Sequence, residues 1–158
     1  MNKITVREVF DPKNNASAIV PAEEPLKDVI TRFARDMKLR GVFVTDPIGR
    51  FSGVITRNDL LKWTHLQLGS SRGDITMSPR DIYRLASSTK AQDLATGDHT
   101  NYGVRLDDDI SMALKMIIEH GEIDLPVLDK DGRILGDLKI SQILLHTIQV
   151  GERQEARA

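Results

Sequence analysis

Residues Leu26–Leu61 read LKDVITRFARDMKLRGVFVTDPIGRFSGVITRNDLL, and residues Ile110–Leu145 repeat the pattern as ISMALKMIIEHGEIDLPVLDKDGRILGDLKISQILL. Three landmarks recur 83 positions apart: Asp46 and Asp129, Gly49 and Gly132, and Gly53 and Gly136. Leu26 and Ile110 are 84 positions apart, so one residue has shifted between the helix and the strand of each copy. A repeat of this length indicates a duplicated supersecondary unit and not low complexity.

The first copy contains helical and strand patterns in alternation. Apolar residues at helical spacing predict an amphipathic helix over Pro25–Met37. Val42–Val44 is a short apolar run, and Phe51–Ile55 resumes as a second strand after a turn. Asn58 or Asp59 can then cap a further helix, because a short polar side chain satisfies the free amides at a helix start.

The second copy repeats this order. Asp107–Asp109 provides a cap and favourable charge for a helix over Ile110–His120. Two strands follow at Leu125–Leu128 and Ile134–Leu138, and Ser141 begins a helix that continues through Ile148. The segments ahead of the copies are also alike.

Val6–Phe10 parallels Ala91–Ala95 as an opening segment, and Ala18–Val20 parallels Tyr102–Val104 as a first strand. The sequence therefore predicts an α/β protein of four segments: a first unit in residues 1–66, a connector in 67–90, a second unit in 91–150 and a frayed tail in 151–158.

The connector contains the flexible stretch Gly69–Gly73 and a short helix predicted over Pro79–Ala86. Two interpretations of it stay open, a lid over the fold and a packed connector.

Composition restricts the function classes. A net charge of −1 gives no broad electrostatic reason to bind nucleic acid or an anionic membrane. No apolar run approaches the ~20 residues of a membrane span, and the simplest location is the cytoplasm. The chain lacks cysteine, its four histidines have no metal-binding spacing, and its serines have no nucleophile elbow. We therefore expect no catalytic residues, no metal and no cofactor.

The heptad Gly53–Asp59 is the most specific motif: a glycine, two apolar residues, a threonine, two variable residues and an aspartate. In its place after a hairpin, it resembles a cystathionine beta-synthase (CBS) domain, and two such copies resemble the tandem pair called a Bateman module. The resemblance covers most of the chain, from about Val6 to Ile148, and excludes the connector and the tail. It implies two βαββα units packed through their sheets as a pseudo-twofold pair, with two clefts.

Thr56 and Asp59 fit a nucleotide in the first cleft. A threonine hydroxyl beside a helix N-terminus can bind phosphate together with free backbone amides. Asp59 can accept hydrogen bonds from both ribose hydroxyls, as acidic residues do in dinucleotide sites. The alternative is that Thr56 is a strand residue and Asp59 only a helix cap.

The resemblance also implies where the adenine and the phosphates would lie. Adenine would enter between the first strand, near Ala18 and Ile19, and the start of the next strand, near Arg40, Gly41 and Val42. Backbone groups would bind its edge and aliphatic side chains its faces. Arg57 or Arg40 would then supply positive charge to the phosphates.

The second copy departs from this pattern. Lys139 and Gln142 stand where Thr56 and Asp59 stand in the first copy, and Asp137 replaces an apolar residue. We expect Asp137 at an exposed or edge position, a solvated Lys139, and an empty or altered second cleft. In the alternative, Lys139 reaches a phosphate.

If a second cleft exists, the residues that would line it are Lys139, Tyr102 and Val104. Taken together, the sequence favours a regulatory module that senses AMP, ADP, ATP or S-adenosylmethionine, forms a homodimer and signals to an effector protein. A ligand-free dimerisation or interaction scaffold and the cytosolic tail of a transporter or channel are the alternatives.

Overall fold

The computed structural model describes residues 3–13, 17–36, 39–69, 77–95, 102–120 and 124–158; Met37, His99 and residues 70–73 lie outside this range. The chain forms two compact units. Residues 16–101 make up one, called here the central unit, and residues 1–15 with 102–158 make up the other, called the terminal unit. Each unit has one three-stranded sheet with helices, so the predicted α/β class is confirmed.

The elements follow in chain order: α1 (Val6–Val9), β1 (Ser17–Pro21), α2 (Leu26–Arg35), β2 (Gly41–Thr45), β3 (Phe51–Ile55), α3 (Arg57–Gln67), α4 (Pro79–Ala86), α5 (Ala91–Leu94), β4 (Val104–Arg105), α6 (Ile110–His120), β5 (Leu125–Leu128), β6 (Ile134–Leu138) and α7 (Ile140–Arg157).

The two sheets have the same topology. β1 lies parallel to β2, which pairs antiparallel with β3, and β4, β5 and β6 repeat this arrangement. Each antiparallel pair has a register shift at the same place, between Val44 and Thr45 in one sheet and between Val127 and Leu128 in the other. A shared irregularity of this kind supports duplication of one ancestral unit.

The turns between the antiparallel strands are also equivalent. Asp46 Oδ1 accepts hydrogen bonds from the amides of Ile48 and Arg50, and Asp129 Oδ1 accepts the corresponding pair in the terminal unit. The bond from the Arg50 amide is the main reason that the pKa of Asp46 is lowered. Gly49 has φ of 86°, a left-handed conformation that glycine adopts without strain, and Gly132 has φ of 83°.

The opening segments are exchanged between the two sequence repeats. The amide of Val6 in α1 donates to the carbonyl of Asp108, at 2.9 Å, in the turn ahead of α6. The amide of Ala91 in α5 donates to the carbonyl of Glu24, also at 2.9 Å, in the turn ahead of α2. Each opening segment therefore packs on the copy that it does not precede.

The predicted boundaries of the two units, 1–66 and 91–150, follow the sequence repeat, whereas the compact units follow the contacts. α1 contributes to the terminal unit and α5 to the central unit, although each is adjacent in sequence to the other copy. The physical reason is that the main-chain groups of each opening segment find their partners in the distant turn.

The predicted frayed tail is also corrected. α7 does not end at Ile148 but continues to Arg157, so most of residues 151–158 are helical. Glu, Gln, Arg and Ala are good helix formers, and Gly151 alone is too weak a breaker to end the helix.

The connector helix α4 is part of the core of the central unit. Its Leu85 is fully buried in a cluster that includes Val29 of α2, Ile55 of β3 and Leu94 of α5. The helix predicted over Pro79–Ala86 is present, and the described part of the connector is packed. In the part of the chain that the structure describes, no helix has the length and hydrophobicity that a membrane span requires.

We predict that Leu85→Ala lowers the free energy of unfolding by about 2–5 kcal/mol, because it leaves a cavity in the core. Tyr83→Ala on the same helix is the matched control, since Tyr83 is 77% exposed and Leu85 is 0% exposed. The control should change the free energy by no more than about 0.5 kcal/mol. Urea denaturation of both variants measures this, and equal effects would show that α4 does not belong to the core.

Candidate functional site

Thr56 and Asp59 form a capping box at the N-terminus of α3. Thr56 Oγ1 accepts a hydrogen bond from the Asp59 amide at 3.1 Å, and Asp59 Oδ2 accepts one from the Thr56 amide at 2.9 Å. The Thr56 hydroxyl also donates to Oδ2, at 2.9 Å. The cap is therefore Thr56, and the predicted cap at Asn58 or Asp59 was wrong, because both residues already lie in the first helical turn.

Asp59 is buried, with 6% of its surface exposed, and its two oxygens have different surroundings. Oδ2 carries the capping bonds, whereas Oδ1 lies 3.9 Å from Nη2 of Arg84. Nη1 of Arg84 donates to the main-chain carbonyl of Leu94 at 2.7 Å. Oδ1 is thus the oxygen of Asp59 that remains outside the cap and can accept hydrogen bonds from a ligand.

Arg84 is a site residue that the sequence pattern does not indicate. It lies on α4, and its partners Asp59 and Leu94 come from α3 and α5. The amphipathic pattern of Pro79–Ala86 predicts the helix, but it carries no information about which distant carboxylate faces it.

The residues predicted to hold the base lie at the same end of the sheet as the cap. Ala18 pairs with Val42, and Val42 pairs with Ile55, the residue before Thr56. Gly41 begins β2 beside them. The sheet register therefore brings the predicted base site and the predicted ribose site to the same end of the sheet.

The side chains at this end of the sheet differ in the contacts that they can make with a ligand. Ala18 and Val42 are buried in the core, so only their backbone groups can contact a ligand. Ile19 points to the opposite face of the sheet and is exposed, which makes an aliphatic surface available. Arg40 and Arg57 are both exposed, so their charge is accessible to an anion.

A cavity of about 260 Å³ lies at the other end of this sheet, lined by residues that include Ala22, Val44 and Asp46. None of the predicted nucleotide-binding residues lines it. This cavity is therefore distinct from the predicted nucleotide site.

In the second copy, Lys139, which replaces the threonine, forms a buried ion pair with Asp137. Lys139 Nζ lies 3.9 Å from Asp137 Oδ1. Lys139 is 5% exposed and Asp137 is 1% exposed. The prediction of a solvated Lys139 was therefore wrong. Asp137 was predicted at an exposed or edge position; its side chain is not exposed, but its strand β6 is an edge strand of the sheet. The two residues are two positions apart in extended backbone, which places both side chains on one face.

Half of the capping arrangement survives in the second copy. Gln142 Oε1 accepts a hydrogen bond from the Lys139 amide at 3.0 Å, as Asp59 does from Thr56. A lysine side chain cannot accept the reciprocal bond from the helix. Gln142 thus keeps a structural role, and no carboxylate stands at this position.

Tyr102 and Val104, the other residues predicted for a second cleft, are both buried in the terminal unit. The Tyr102 ring meets the His120 ring edge to face, with centroids 4.9 Å apart. Burial raises the pKa of the Tyr102 phenol, and the negative charge of Asp124 raises it further. This end of the terminal unit is occupied by packed aromatic and charged side chains.

Within the described ranges, no group of three or more His, Cys, Asp and Glu residues is arranged to hold a metal ion. The acidic run Asp107–Asp109 serves the main chain instead. Asp108 accepts a hydrogen bond from the Arg105 amide, and Asp109 accepts one from the Ser111 amide at the start of α6. These contacts agree with the predicted capping role of the run.

A sequence profile of the CBS domain matches residues 6–65 and again residues 100–146, which together are more than half of the chain. The chain belongs to the CBS domain family. The tandem CBS pair predicted from the repeat is confirmed by these two matches and by structural similarity. No curated protein matches the chain in sequence.

Solved structures of CBS-pair proteins share the fold. CBSX2 in complex with AMP has a TM-score of 0.68 and 21% identity, over 93% of this chain and 98% of that one. CBSX2 comes from Arabidopsis thaliana. A CBS domain-containing protein from Thermotoga maritima has a TM-score of 0.69 and 22% identity, over 92% and 95% of the two chains.

Hypoxic Response Protein I, crystallised with two coordinated zinc ions, has a TM-score of 0.61 and 20% identity, over 90% of this chain and 98% of that one. At such identities, the similarity establishes the CBS-pair fold.

We predict that Lys139→Met in the second CBS copy lowers the free energy of unfolding by about 3–5 kcal/mol, because Asp137 then stays buried without this cation. The double variant Asp137→Val with Lys139→Thr, which restores the residue types of the first copy, should be close to wild type. Urea unfolding of both variants provides the measurement. A change below about 1 kcal/mol in Lys139→Met would contradict an important buried pair.

Proposed function

We propose that this CBS pair is a non-catalytic module that binds an adenosine nucleotide in the central unit and reports its occupancy to a partner. The observation that supports this most directly is the buried carboxylate of Asp59, which is held beside the Thr56 hydroxyl at a helix N-terminus. The AMP complex of CBSX2, a protein of the same fold, makes an adenosine nucleotide the first ligand to test.

The ribose would bind at Asp59. Its hydroxyls would donate to Oδ1, since Oδ2 already accepts two hydrogen bonds from Thr56. Hydrogen bonds to an ionised acceptor are among the stronger ones in proteins. Asp59 would thereby fix the nucleoside without losing its capping role.

The phosphates would lie near the N-terminus of α3. The helix dipole and the first amides of a helix favour an anion there. Arg57 in the first turn and Arg40 ahead of β2 are exposed and would add positive charge. The base would contact the backbone near Ala18 and Val42.

Occupancy would be transmitted through Arg84. Its Nη2 lies 3.9 Å from Asp59 Oδ1, and its Nη1 donates a hydrogen bond to the Leu94 carbonyl of α5. A ribose at Oδ1 changes the electrostatic environment of Arg84 and thus of the α4–α5 segment. Such a change regulates a partner only if the ligand binds two arrangements of the module with different affinity.

Exposed apolar side chains favour a second role, in assembly. Residues of this kind occur on α6 and α7 of the terminal unit: Met112, Leu114, Ile118, Leu144, Leu145 and Ile148. Helix α2 has no large hydrophobic side chain among the exposed residues that the structure describes. We therefore propose α6 and α7 as the homodimer surface, which would serve a scaffold as well as a sensor.

We predict that Asp59→Ala weakens AMP binding about 10- to 100-fold, or about 1.5–3 kcal/mol, because the ribose acceptor is lost. It should also lower the free energy of unfolding by about 1 kcal/mol through loss of the cap. Gln142→Ala is the matched control, since it removes the corresponding capping acceptor in the second copy. Its effect on stability should be of similar size, with little change in AMP affinity.

Titration calorimetry measures affinity and stoichiometry for both variants. About one AMP per chain is expected, because the second copy has no carboxylate in place of Asp59. Equal AMP affinity in wild type and Asp59→Ala would place the ligand elsewhere. Two equivalent sites per chain would show that the second copy binds nucleotide without a carboxylate.

We predict that light scattering of the wild type gives twice the 17.7 kDa monomer mass. Ile118→Glu combined with Leu145→Glu should yield the monomer, because two buried charges in an apolar interface are strongly unfavourable. Ile48→Glu changes an exposed isoleucine in the turn after β2 and serves as the control. A wild type that stays monomeric at every working concentration would contradict the dimer.

A further inference from the structure

Ser17, the first residue of β1, has a buried hydroxyl oxygen that the fold leaves unsatisfied. In the described part of the chain, Ser17 Oγ makes no hydrogen bond. Ser52 in the same sheet is the opposite case, because its hydroxyl donates to the Val44 carbonyl at 3.1 Å. Buried hydroxyls in native proteins have partners as a rule, and an unsatisfied one is unfavourable.

The Ser17 hydroxyl lies at the end of the sheet where the nucleotide site is proposed. Ser17 pairs with Gly41. A Cβ placed on Gly41 would lie 4.0 Å from Ser17 Oγ and 3.6 Å from the carbonyl oxygen of Ile55. The Ser17 hydroxyl, Gly41 and the end of β3 therefore lie close together, and Thr56 follows β3 directly.

The spacing of the strands separates Ser17 from the ribose site by about the length of a nucleoside. Neighbouring strands are about 4.8 Å apart, so β1 lies roughly 10 Å from β3, where the chain leads into Thr56 and Asp59. A nucleoside with its ribose hydroxyls at Asp59 can place the polar edge of its base at β1. An alanine at position 17 would fill the same position without an unsatisfied oxygen.

We infer that the Ser17 hydroxyl hydrogen-bonds the base of the bound nucleotide and is a specificity-determining residue of the site. This rests on the proposed function and extends it, because the other expected contacts to the edge of the base use backbone groups. The hydroxyl can both donate and accept, which suits the mixed donors and acceptors of a purine edge. Ser17 thus contributes to ligand binding at a cost to the stability of the ligand-free protein.

The test compares Ser17→Ala with Ser52→Ala in the full chain. Ser17→Ala should weaken AMP binding about tenfold in calorimetry, while the melting temperature of the ligand-free protein stays the same or rises. Ser52→Ala should show the reverse, an unchanged AMP affinity and a lower melting temperature, because it loses a hydrogen bond that the fold makes.

A second ligand assigns the contact to the base. With 2′-deoxyadenosine 5′-monophosphate, Ser17→Ala should lose the same factor as with AMP, whereas the effect of Asp59→Ala should shrink. If the Ser17→Ala effect shrinks in the same way, the hydroxyl contacts the ribose and the base assignment is overturned.

The remaining outcomes separate this inference from the proposed function. If wild type binds AMP, Asp59→Ala weakens it and Ser17→Ala leaves it unchanged, the Ser17 assignment fails and the proposed function stands. If wild type binds neither nucleotide at millimolar concentration, both fail.

Discussion

Within each unit, main-chain hydrogen bonds join the short opening helix to the turn ahead of a long helix that is distant in sequence. These bonds make each unit compact. Val6 bonds to Asp108 in the terminal unit, and Ala91 bonds to Glu24 in the central unit. Side chains complete these contacts, since Val6 and Ala91 are both fully buried. Neither repeat, taken as a continuous piece of sequence, contains its whole core. The position of α5, and with it the Leu94 carbonyl that holds Arg84, depends on this exchange.

The capping box of α3 shows how one group of atoms serves the fold and the site together. Asp59 Oδ2 caps the start of α3, whereas Oδ1 faces Arg84 and stays outside the cap. The fold therefore orients the carboxylate before any ligand arrives, which reduces the entropy lost on binding. In the second copy the same backbone geometry persists with Lys139 and Gln142, but the polar groups there satisfy one another. The two copies therefore share the backbone arrangement at this helix start but differ in their side-chain chemistry.

Local sequence patterns predicted those structural features that depend only on residues close together in the sequence. Helical spacing and turn residues located most elements, and α6 and α4 have the predicted bounds. Long-range choices were not predictable in this way. The two opening segments resemble each other, so nothing local decides which copy each one contacts. Arg84 likewise gave no signal, since its partner lies on another helix. The burial of Lys139 was a different case, because opposite charges two residues apart on a strand do favour a pair, and that signal was present.

In the sequence, the central unit interrupts the terminal unit, and this order affects when each unit can fold during synthesis. Partners within the central unit, such as Lys90 and Glu23, are 67 residues apart and leave the ribosome as one continuous stretch. Arg7 and Asp107 are 100 residues apart, so α1 must wait until α6 is being made. Domains fold as units as they emerge, and distant contacts form slowly. Val6 therefore cannot reach its buried position against the turn at Asp108 until that turn has been made, whereas the residues of the central unit come before it in the sequence.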